Sequence, residues 1–397
     1  MTTAQLDDTS VTAVDGRRGW IVVGATFLST FTVFGVAYSF GAFFGSMTDE
    51  FGSGKGATAL MFSITTCWYF VFGLVSGKAA DRWGPRPVLL VGAVCLGTGL
   101  LLTARVESIW AGYVTYGTLV GTAVACAYVP MVATVGGWFM RQRTTALGVA
   151  VAGIGVGTLV AAPLAERLID RYGWRDAYMI MGVVGAALLL IASLGAFRPP
   201  IDIDQPPAPL ARLARDRGFL IMYAGTFLCS LALFVPFVFI ADYATDRGID
   251  AGPAATLVAI IGAASVAGRL GLGGLGARFG ATRLMQASFA MLSASFGLWL
   301  AAGDRYWVLV LFALVMGVGY GGFIALAPAV AAGLFGTTGL GGILGALYTA
   351  AGFGGLIGPP LAGAVIDAVS YGAAIVMAML LSAAAAAVMM ALPGEQR

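Results

Sequence analysis

The sequence contains no histidine, and charged residues make up 10% of its 397 residues. Ordinary soluble domains carry about 25% charged residues, so this chain is not a typical soluble protein. Without histidine, it has no Ser-His or Cys-His nucleophile pair, no histidine proton relay and no histidine metal ligand. The four cysteines form no CxxC pair. We therefore expect no enzyme activity, no metal site and no cofactor.

Apolar sequence is what the chain has in abundance. Hydrophobic residues make up 59% of it, in repeated runs of about 20 residues, each long enough to cross a bilayer as a helix. Strands of a membrane barrel would alternate apolar and polar residues, and these runs do not. We predict an all-α membrane protein with twelve transmembrane helices in the lipid bilayer. The net charge of +3 is too small and too dispersed to indicate nucleic acid as a partner.

A polar, proline-rich interval divides the chain near its midpoint. Prolines recur at a nearly constant offset on its two sides, with Pro130 matching Pro328 and Pro163 matching Pro359. About two thirds of the Lys and Arg residues fall on the side of the termini, which predicts that both termini are cytoplasmic. We predict a duplicated six-helix unit. Its parts are a cytoplasmic arm (1–19), a first half (20–197), a cytoplasmic linker (198–217), a second half (218–392) and a cytoplasmic tail (393–397).

Arg269 is the one charged residue well inside a predicted span, the eighth, at 253–276. A charge near the bilayer centre costs about 2.5–3.5 kcal/mol, so such a residue indicates a functional site with an anionic partner. Two other interpretations stay open. Arg269 lies about 10 Å from the end of that span at ~1.5 Å per residue, so it can extend toward water, or it can hold helices together.

Residues 77–86, Gly-Lys-Ala-Ala-Asp-Arg-Trp-Gly-Pro-Arg, resemble the signature loop between helices 2 and 3 of the major facilitator superfamily. In such a loop the glycines permit tight turning, and the aspartate caps or pairs with nearby arginines as a conformational latch. The copy in the second half, 273–280, has Ala277 in place of the acid. The resemblance assigns this conformational role to Gly77, Asp81, Arg82, Gly84 and Arg86.

Residues 138–153 resemble the helix 4–5 signature of the monocarboxylate porter family within that superfamily. Residues 15–20, Asp-Gly-Arg-Arg-Gly-Trp, resemble the other family signature, with Arg17 and Arg18 as departures from it. Such proteins bind the substrate carboxylate with an arginine of helix 8, and Arg269 falls on that position. A guanidinium grips a carboxylate through two parallel charge-assisted hydrogen bonds.

The resemblance also narrows the substrate. The bacterial branch of the family includes oxalate/formate exchangers, which carry a lysine in helix 11 where this chain has Ala351. A second substrate carboxylate would therefore lack a counter-charge, which favours a monoanion. Around Arg269 we expect hydroxyl donors and aromatic walls from Tyr38, Tyr128, Tyr320 and Tyr348, although packing alone explains each tyrosine equally well.

We predict a secondary transporter that moves a small organic monocarboxylate, such as lactate or pyruvate, across a bacterial inner membrane by alternating access and coupled to protons. Asp242 and Asp246 are the acidic candidates for proton coupling, although such residues more often face solvent. We expect a monomer. The alternatives are an anion exchanger of the oxalate/formate type and an exporter of another small organic compound. A receptor would need a larger soluble domain than the polar segments provide.

Overall fold

The structure, a computed structural model, describes residues 15–200, 213, 215–336 and 339–392. Within those ranges it is helical and contains no strand. Eleven stretches are long and apolar enough to cross a membrane, and one of them, Thr145–Leu194, contains two helices that meet at Gly173. Gly173 has φ 79° and ψ 161°, values that end one helix and start the next. The prediction of twelve membrane crossings is therefore confirmed for the described residues.

The helices are longer than the predicted spans, because their polar ends continue beyond the hydrocarbon layer. Those of the first half are α1 (Arg17–Phe51), α2 (Lys55–Trp83), α3 (Pro85–Thr103), α4 (Ile109–Trp138), α5 (143–172) and α6 (174–194). Those of the second half are α7 (Arg217–Asp246), α8 (Ala251–Phe279), α9 (Ala281–Ala302), α10 (Tyr306–Phe335), α11 (Leu340–Ala368) and α12 (Tyr371–Met390). Most of the predicted linker and arm, and the predicted tail, lie outside the described residues.

Two faces of the helical bundle follow from this order. The terminal face carries the first residue of α1 and the last residue of α12. The distal face carries the residues that join α1 to α2 and α7 to α8. The two faces are separated by the length of a helix, about 40 Å for 29 residues at ~1.5 Å per residue.

The same glycine contacts occur in both halves. A Cβ on Gly157 of α5 would lie 2.2 Å from the carbonyl oxygen of Phe31 on α1, and a Cβ on Gly358 of α11 would lie 2.2 Å from that of Leu231 on α7. Glycine is required there because any larger residue would push the two helix backbones apart. The repeated contacts show that the two halves share one packing plan.

Helices α1 and α7 are each broken near their middle, which the apolar pattern did not predict. The part of α1 nearer the terminal face, its inner segment, ends at Tyr38. The Ser39 hydroxyl donates a hydrogen bond to the Val36 carbonyl oxygen at 2.8 Å. In α7 the break falls at Phe234, two residues before Pro236, which has no N–H to continue the helix. The breaks lie at matching places in the two halves.

The signature segment 77–86 is not an extended loop. Helix α2 continues to Trp83 and α3 begins at Pro85, so Gly84 alone connects them, with φ 93°. Gly280 has φ 88° at the equivalent place in the second half. The expectation that Gly77 turns the chain is wrong, because Gly77 lies inside α2 and continues its hydrogen-bonded turns. Asp81, Arg82 and Arg86 lie exposed on the terminal face around this turn.

Between α1 and α7, the two halves are joined near the distal face. A Cβ on Gly41 of α1 would lie 2.7 Å from the Phe237 carbonyl oxygen of α7, and the Phe44 and Phe239 rings are 5.0 Å apart. Toward the terminal face, the inner segments Arg17–Tyr38 and Arg217–Leu233 make no ring contact with each other in the described part of the chain. The passage between α1 and α7 is thus closed on the distal side.

Candidate anion-binding site

Arg269 lies on α8, where that helix packs closely against α10. A Cβ on Gly268 would lie 2.2 Å from the Val318 carbonyl oxygen, so glycine allows the two backbones to meet. This contact places the Arg269 guanidinium over the Tyr320 ring, with 5.5 Å from Cζ to the ring centroid. Arg269 is 6% exposed. The side chain is therefore packed inside the protein, and extension into water does not describe it.

The guanidinium of Arg269 is partly satisfied and partly free. Its Nη1 donates to the Val151 carbonyl oxygen of α5 at 3.0 Å, which links the second half to the first. Its Nε and Nη2 are buried and have no hydrogen-bond partner among the described residues. These two nitrogens form the lateral edge of a guanidinium, whose N–H bonds are parallel and spaced to match the two oxygens of one carboxylate.

Arg269 differs from the other charged residues of the described chain in its burial and in its lack of an acidic partner. Among the described residues, Arg269 is the one charged side chain that is fully buried. No carboxylate in those residues makes an ion pair with it. Leaving charged donors unpaired in a buried site is costly, so the geometry is suited to an anionic ligand.

The structure brings the four predicted tyrosines around this arginine. Tyr320 contacts the guanidinium directly, and its hydroxyl is 3.2 Å from the hydroxyl of Tyr38. Phe34 connects Tyr38 to Tyr128, with ring centroids 5.5 Å and 5.1 Å away, and the Tyr348 ring lies 5.9 Å from that of Phe70. The four tyrosines come from α1, α4, α10 and α11, so both halves contribute to the site.

Several aromatic residues of the site were missed by sequence reasoning. Phe237 stacks on Tyr38 at 4.4 Å, and Phe34 meets Tyr128 edge to face at 5.1 Å. Tyr69 is 3% exposed, and its ring centroid lies 5.8 Å from that of Phe34. The buried stripe Phe62, Thr66, Tyr69, Gly73 on α2 is the helical spacing that points Tyr69 inward.

Ala351 is 5% exposed and lies on α11, one turn from Tyr348. It adds a methyl group and no charge to that helix. No other Lys or Arg in the described part of the chain is buried. The site therefore contains one fixed cation.

The two acidic candidates differ in their surroundings. Asp242 lies on the outer segment of α7, Val235–Asp246, which follows the break at Phe234. Its side chain is 17% exposed and accepts hydrogen bonds from Lys55 and Tyr371. Asp246 is exposed one turn nearer the end of the helix. Asp242 lies close to the distal end of α7, whereas Arg269 lies well inside α8. Sequence reasoning did not find Lys55, because a single lysine at a helix start is ordinary.

The two segments that carry the family resemblance contact each other. The Asp15 carboxylate accepts backbone hydrogen bonds from Met140, Arg141 and Gln142 at 3.2–3.3 Å, just before α5 begins. The Trp20 and Phe139 rings meet edge to face at 5.3 Å. A carboxylate at a helix N-terminus stabilises the free N–H groups there. The signatures thus fix the start of α1 against the start of α5.

Comparisons with known proteins agree with this architecture. A family model described as the Major Facilitator Superfamily matches residues 26–271 and 222–397. Monocarboxylate transporter 4 of Mus musculus is 32% identical over 91% of this chain and 80% of its own length. The chain belongs to the monocarboxylate porter family of the major facilitator superfamily. Monocarboxylate transporter 3 of Rattus norvegicus is 31% identical over 89% of this chain and 75% of its own length.

A comparison with a solved structure supports the fold of this chain. It is a bacterial homologue of the human lysosomal transporter Spinster, in an inward-facing and unoccupied conformation. The two chains superpose with a TM-score of 0.72 at 14% identity, over 94% of this chain and 96% of the other. The relatives are named as transporters, which confirms the prediction that this porter is not an enzyme.

Proposed function

We propose that this porter moves a small organic monocarboxylate, such as lactate or pyruvate, and that Arg269 binds the substrate carboxylate. The observation that supports this most is the free lateral edge of the guanidinium, where Nε and Nη2 are buried without partners. One carboxylate supplies an acceptor for each. The relatives named as monocarboxylate transporters support the same substrate class.

The charge of the site supports a monoanion. Arg269 is the one buried charge of the described residues, and Ala351 adds none. A single carboxylate on Arg269 leaves a neutral pair, whereas a dicarboxylate would leave one negative charge uncompensated inside a site of low dielectric. Exchange of oxalate is the competing function, and a second cation would be needed for it.

Transport is by alternating access in this proposal, with the two halves rocking about the Arg269 site. The Nη1 bond to Val151 crosses between the halves at that level, and the distal side is closed by the contacts of α1 with α7. In this proposal the termini lie in the cytoplasm of a bacterial cell, which the excess of Lys and Arg on the terminal face supports. The closed distal face is then the outer one.

Proton-linked transport completes the proposal. Uptake of an anion together with a proton carries no net charge, so an acid outer medium would drive it. Asp242 and Asp246 are its acidic candidates, since both lie on α7 at the distal face. Asp242 is the better placed because it lies between the two halves.

The test is uptake of labelled lactate by proteoliposomes with and without an inward acid gradient. We expect the gradient to stimulate uptake by the parent protein. Arg269→Lys keeps the charge but loses the paired donors, and we expect its uptake to fall by about tenfold or more. Arg278→Lys makes the same change at an exposed position of the same helix and serves as the matched control. Uptake by Arg269→Lys equal to the parent would overturn the assignment, and oxalate counterflow without lactate uptake would favour the exchanger.

A further inference from the structure

Three side chains from three helices meet where the two halves touch at the distal face. Lys55 is the first residue of α2, Asp242 lies on the outer segment of α7, and Tyr371 is the first residue of α12. Lys55 Nζ donates to Asp242 Oδ2 and, at 2.7 Å, to the Tyr371 hydroxyl oxygen. The Tyr371 hydroxyl donates to the same Oδ2. We call these three residues the distal triad.

Within the distal triad, Lys55 and Asp242 form an ion pair that crosses between the halves. The other ion pair of the described residues, Glu50 with Arg175 at 3.0 Å, lies entirely within the first half. Separation of the halves at the distal face leaves the Glu50–Arg175 pair intact. It must separate Lys55 from Asp242, because the two residues belong to different halves.

The distal triad is sheltered from water. The side chains of Lys55 and Asp242 are 26% and 17% exposed. The Lys55 ammonium lies 5.0 Å from the Tyr371 ring centroid and 5.9 Å from that of Phe44. An ion pair in such surroundings is stronger than one on an open surface, because water screens it less.

The triad also continues the contacts that close the distal side. Phe44 packs on Phe239, and Asp242 follows Phe239 by about one helical turn on α7. A Cβ on Gly45 would lie 4.0 Å from Asp242 Oδ1, so little stands between α1 and the carboxylate. The aromatic contact and the triad must therefore open together.

We propose that Asp242 is the proton-binding site of a distal gate, and that it holds either Lys55 when the distal side is closed or a proton when it is open. The proposal rests on the alternating-access function above. Lys55 of α2 and Tyr371 of α12 contact Asp242, and Asp246 lies one turn farther along α7. The Asp367 carboxylate of α11 lies 3.4 Å from the backbone nitrogen of Gly56, the residue after Lys55. Arg247 lies over the neighbouring Tyr243 ring at 5.1 Å. When Lys55 leaves, Asp242 loses the cation that keeps a proton away from its carboxylate.

The direction of this effect follows from mass action. Protons bind Asp242 in the open form and Lys55 excludes them in the closed form, so acid on the distal side shifts the population toward the open form. When the gate closes, Lys55 takes the place of the proton at Asp242. The proton at Asp242 thus controls the opening of the distal side.

A distance measurement tests the gate without any substrate. Spin labels at Arg105→Cys and Asp304→Cys, exposed distal positions in different halves, report the opening by pulsed electron resonance in a background with the four native cysteines replaced by alanine. We expect the long-distance population to grow about fivefold or more from pH 8 to pH 5. Asp242→Asn should show that population already at pH 8 and lose the pH dependence. Lys55→Gln breaks the same bond from the other half and should give the same result.

Glu50→Gln is the matched control, because it breaks an ion pair of the same face within one half and should keep the parental pH dependence. A pH dependence retained in both Asp242→Asn and Lys55→Gln would overturn the gate. Uptake of labelled lactate by the parent protein is a separate readout, because it tests the proposed function and not the gate. A parent that opens with acid but transports no monocarboxylate would overturn the proposed function and leave the gate standing.

Discussion

The Arg269 site and the distal triad are both polar clusters in an apolar bundle, but one is incomplete and the other is complete. Arg269 has one hydrogen bond to Val151 and two buried donors without partners. Lys55 and Asp242 satisfy each other, and the Tyr371 hydroxyl bonds to both. An incomplete cluster leaves donors for a ligand from outside, whereas a complete one holds parts of the protein together. This is the difference that we expect between a binding site and a gate.

The largest expected effect is on ligand binding when Arg269 is removed. Arg269→Ala loses two charge-assisted hydrogen bonds, each worth about 1.5–3 kcal/mol, so we expect the affinity for lactate to fall by at least about 100-fold. Ligand-induced stabilisation against thermal unfolding in detergent measures it. Asp242→Ala should retain lactate-induced stabilisation, because the triad is already complete without a ligand. Equal losses in the two variants would remove the distinction between the clusters.

The two clusters should also respond oppositely in the absence of ligand. Arg269→Met removes a buried charge that is only partly bonded, and we expect the free energy of unfolding to rise by about 1–3 kcal/mol. Asp242→Ala leaves Lys55 without its partner, and we expect a fall of about 1 kcal/mol, since both side chains reach some water. Thermal unfolding without substrate measures both. Shifts of the same sign would contradict the comparison.

Much of the Arg269 site could be predicted from the sequence, whereas the triad could not. Arg269 is conspicuous because a charge inside an apolar span has few explanations. Lys55 and Asp242 are 187 positions apart, and each is an ordinary residue at a helix end. Nothing local marks them as partners, since the packing of α2 against α11 and of α1 against α7 brings them together. The Val151 carbonyl was equally hidden, because every residue has one.

The breaks in α1 and α7 were missed for a related reason. Hydropathy runs unchanged through Ser39 and Phe234, so a pattern of apolar residues predicts continuous helices there. Pro236 was the available signal, since a proline inside a helix removes one hydrogen bond. The serine gave none, because its hydroxyl bonds to Val36 within its own helix. Apolar sequence predicts that a span exists more reliably than it predicts how the span bends.

A change of substrate charge would sharpen the account of the Arg269 site. Ala351→Lys adds a second cation one turn from Tyr348, and we expect oxalate to compete with labelled lactate about tenfold better than in the parent, because the second carboxylate then has a partner. Ala351→Met has a similar length without charge and is the control. Improved competition by oxalate in both variants would attribute the effect to size. No improvement in Ala351→Lys would mean that α11 does not face the second carboxylate.

The smallest expected effect is at Tyr320, which supports Arg269 in two separable ways. Its ring lies under the guanidinium at 5.5 Å, and its hydroxyl is 3.2 Å from that of Tyr38. Tyr320→Phe keeps the ring and removes the hydroxyl, so we expect lactate affinity to fall about three- to tenfold. Tyr320→Leu removes both the ring and the hydroxyl. We expect its affinity for lactate to fall further, by the value of a buried cation–π contact.

Tyr306→Phe removes a hydroxyl bonded to Thr256 near the distal face and is the control for both Tyr320 variants. It should leave lactate affinity unchanged. If Tyr320→Phe behaves like Tyr306→Phe while Tyr320→Leu is impaired, the ring alone positions the guanidinium and the hydroxyl belongs to packing between α1 and α10. If Tyr320→Phe is impaired as well, the hydroxyl takes part in the site, and the substrate meets a donor from α10 as well as the arginine of α8.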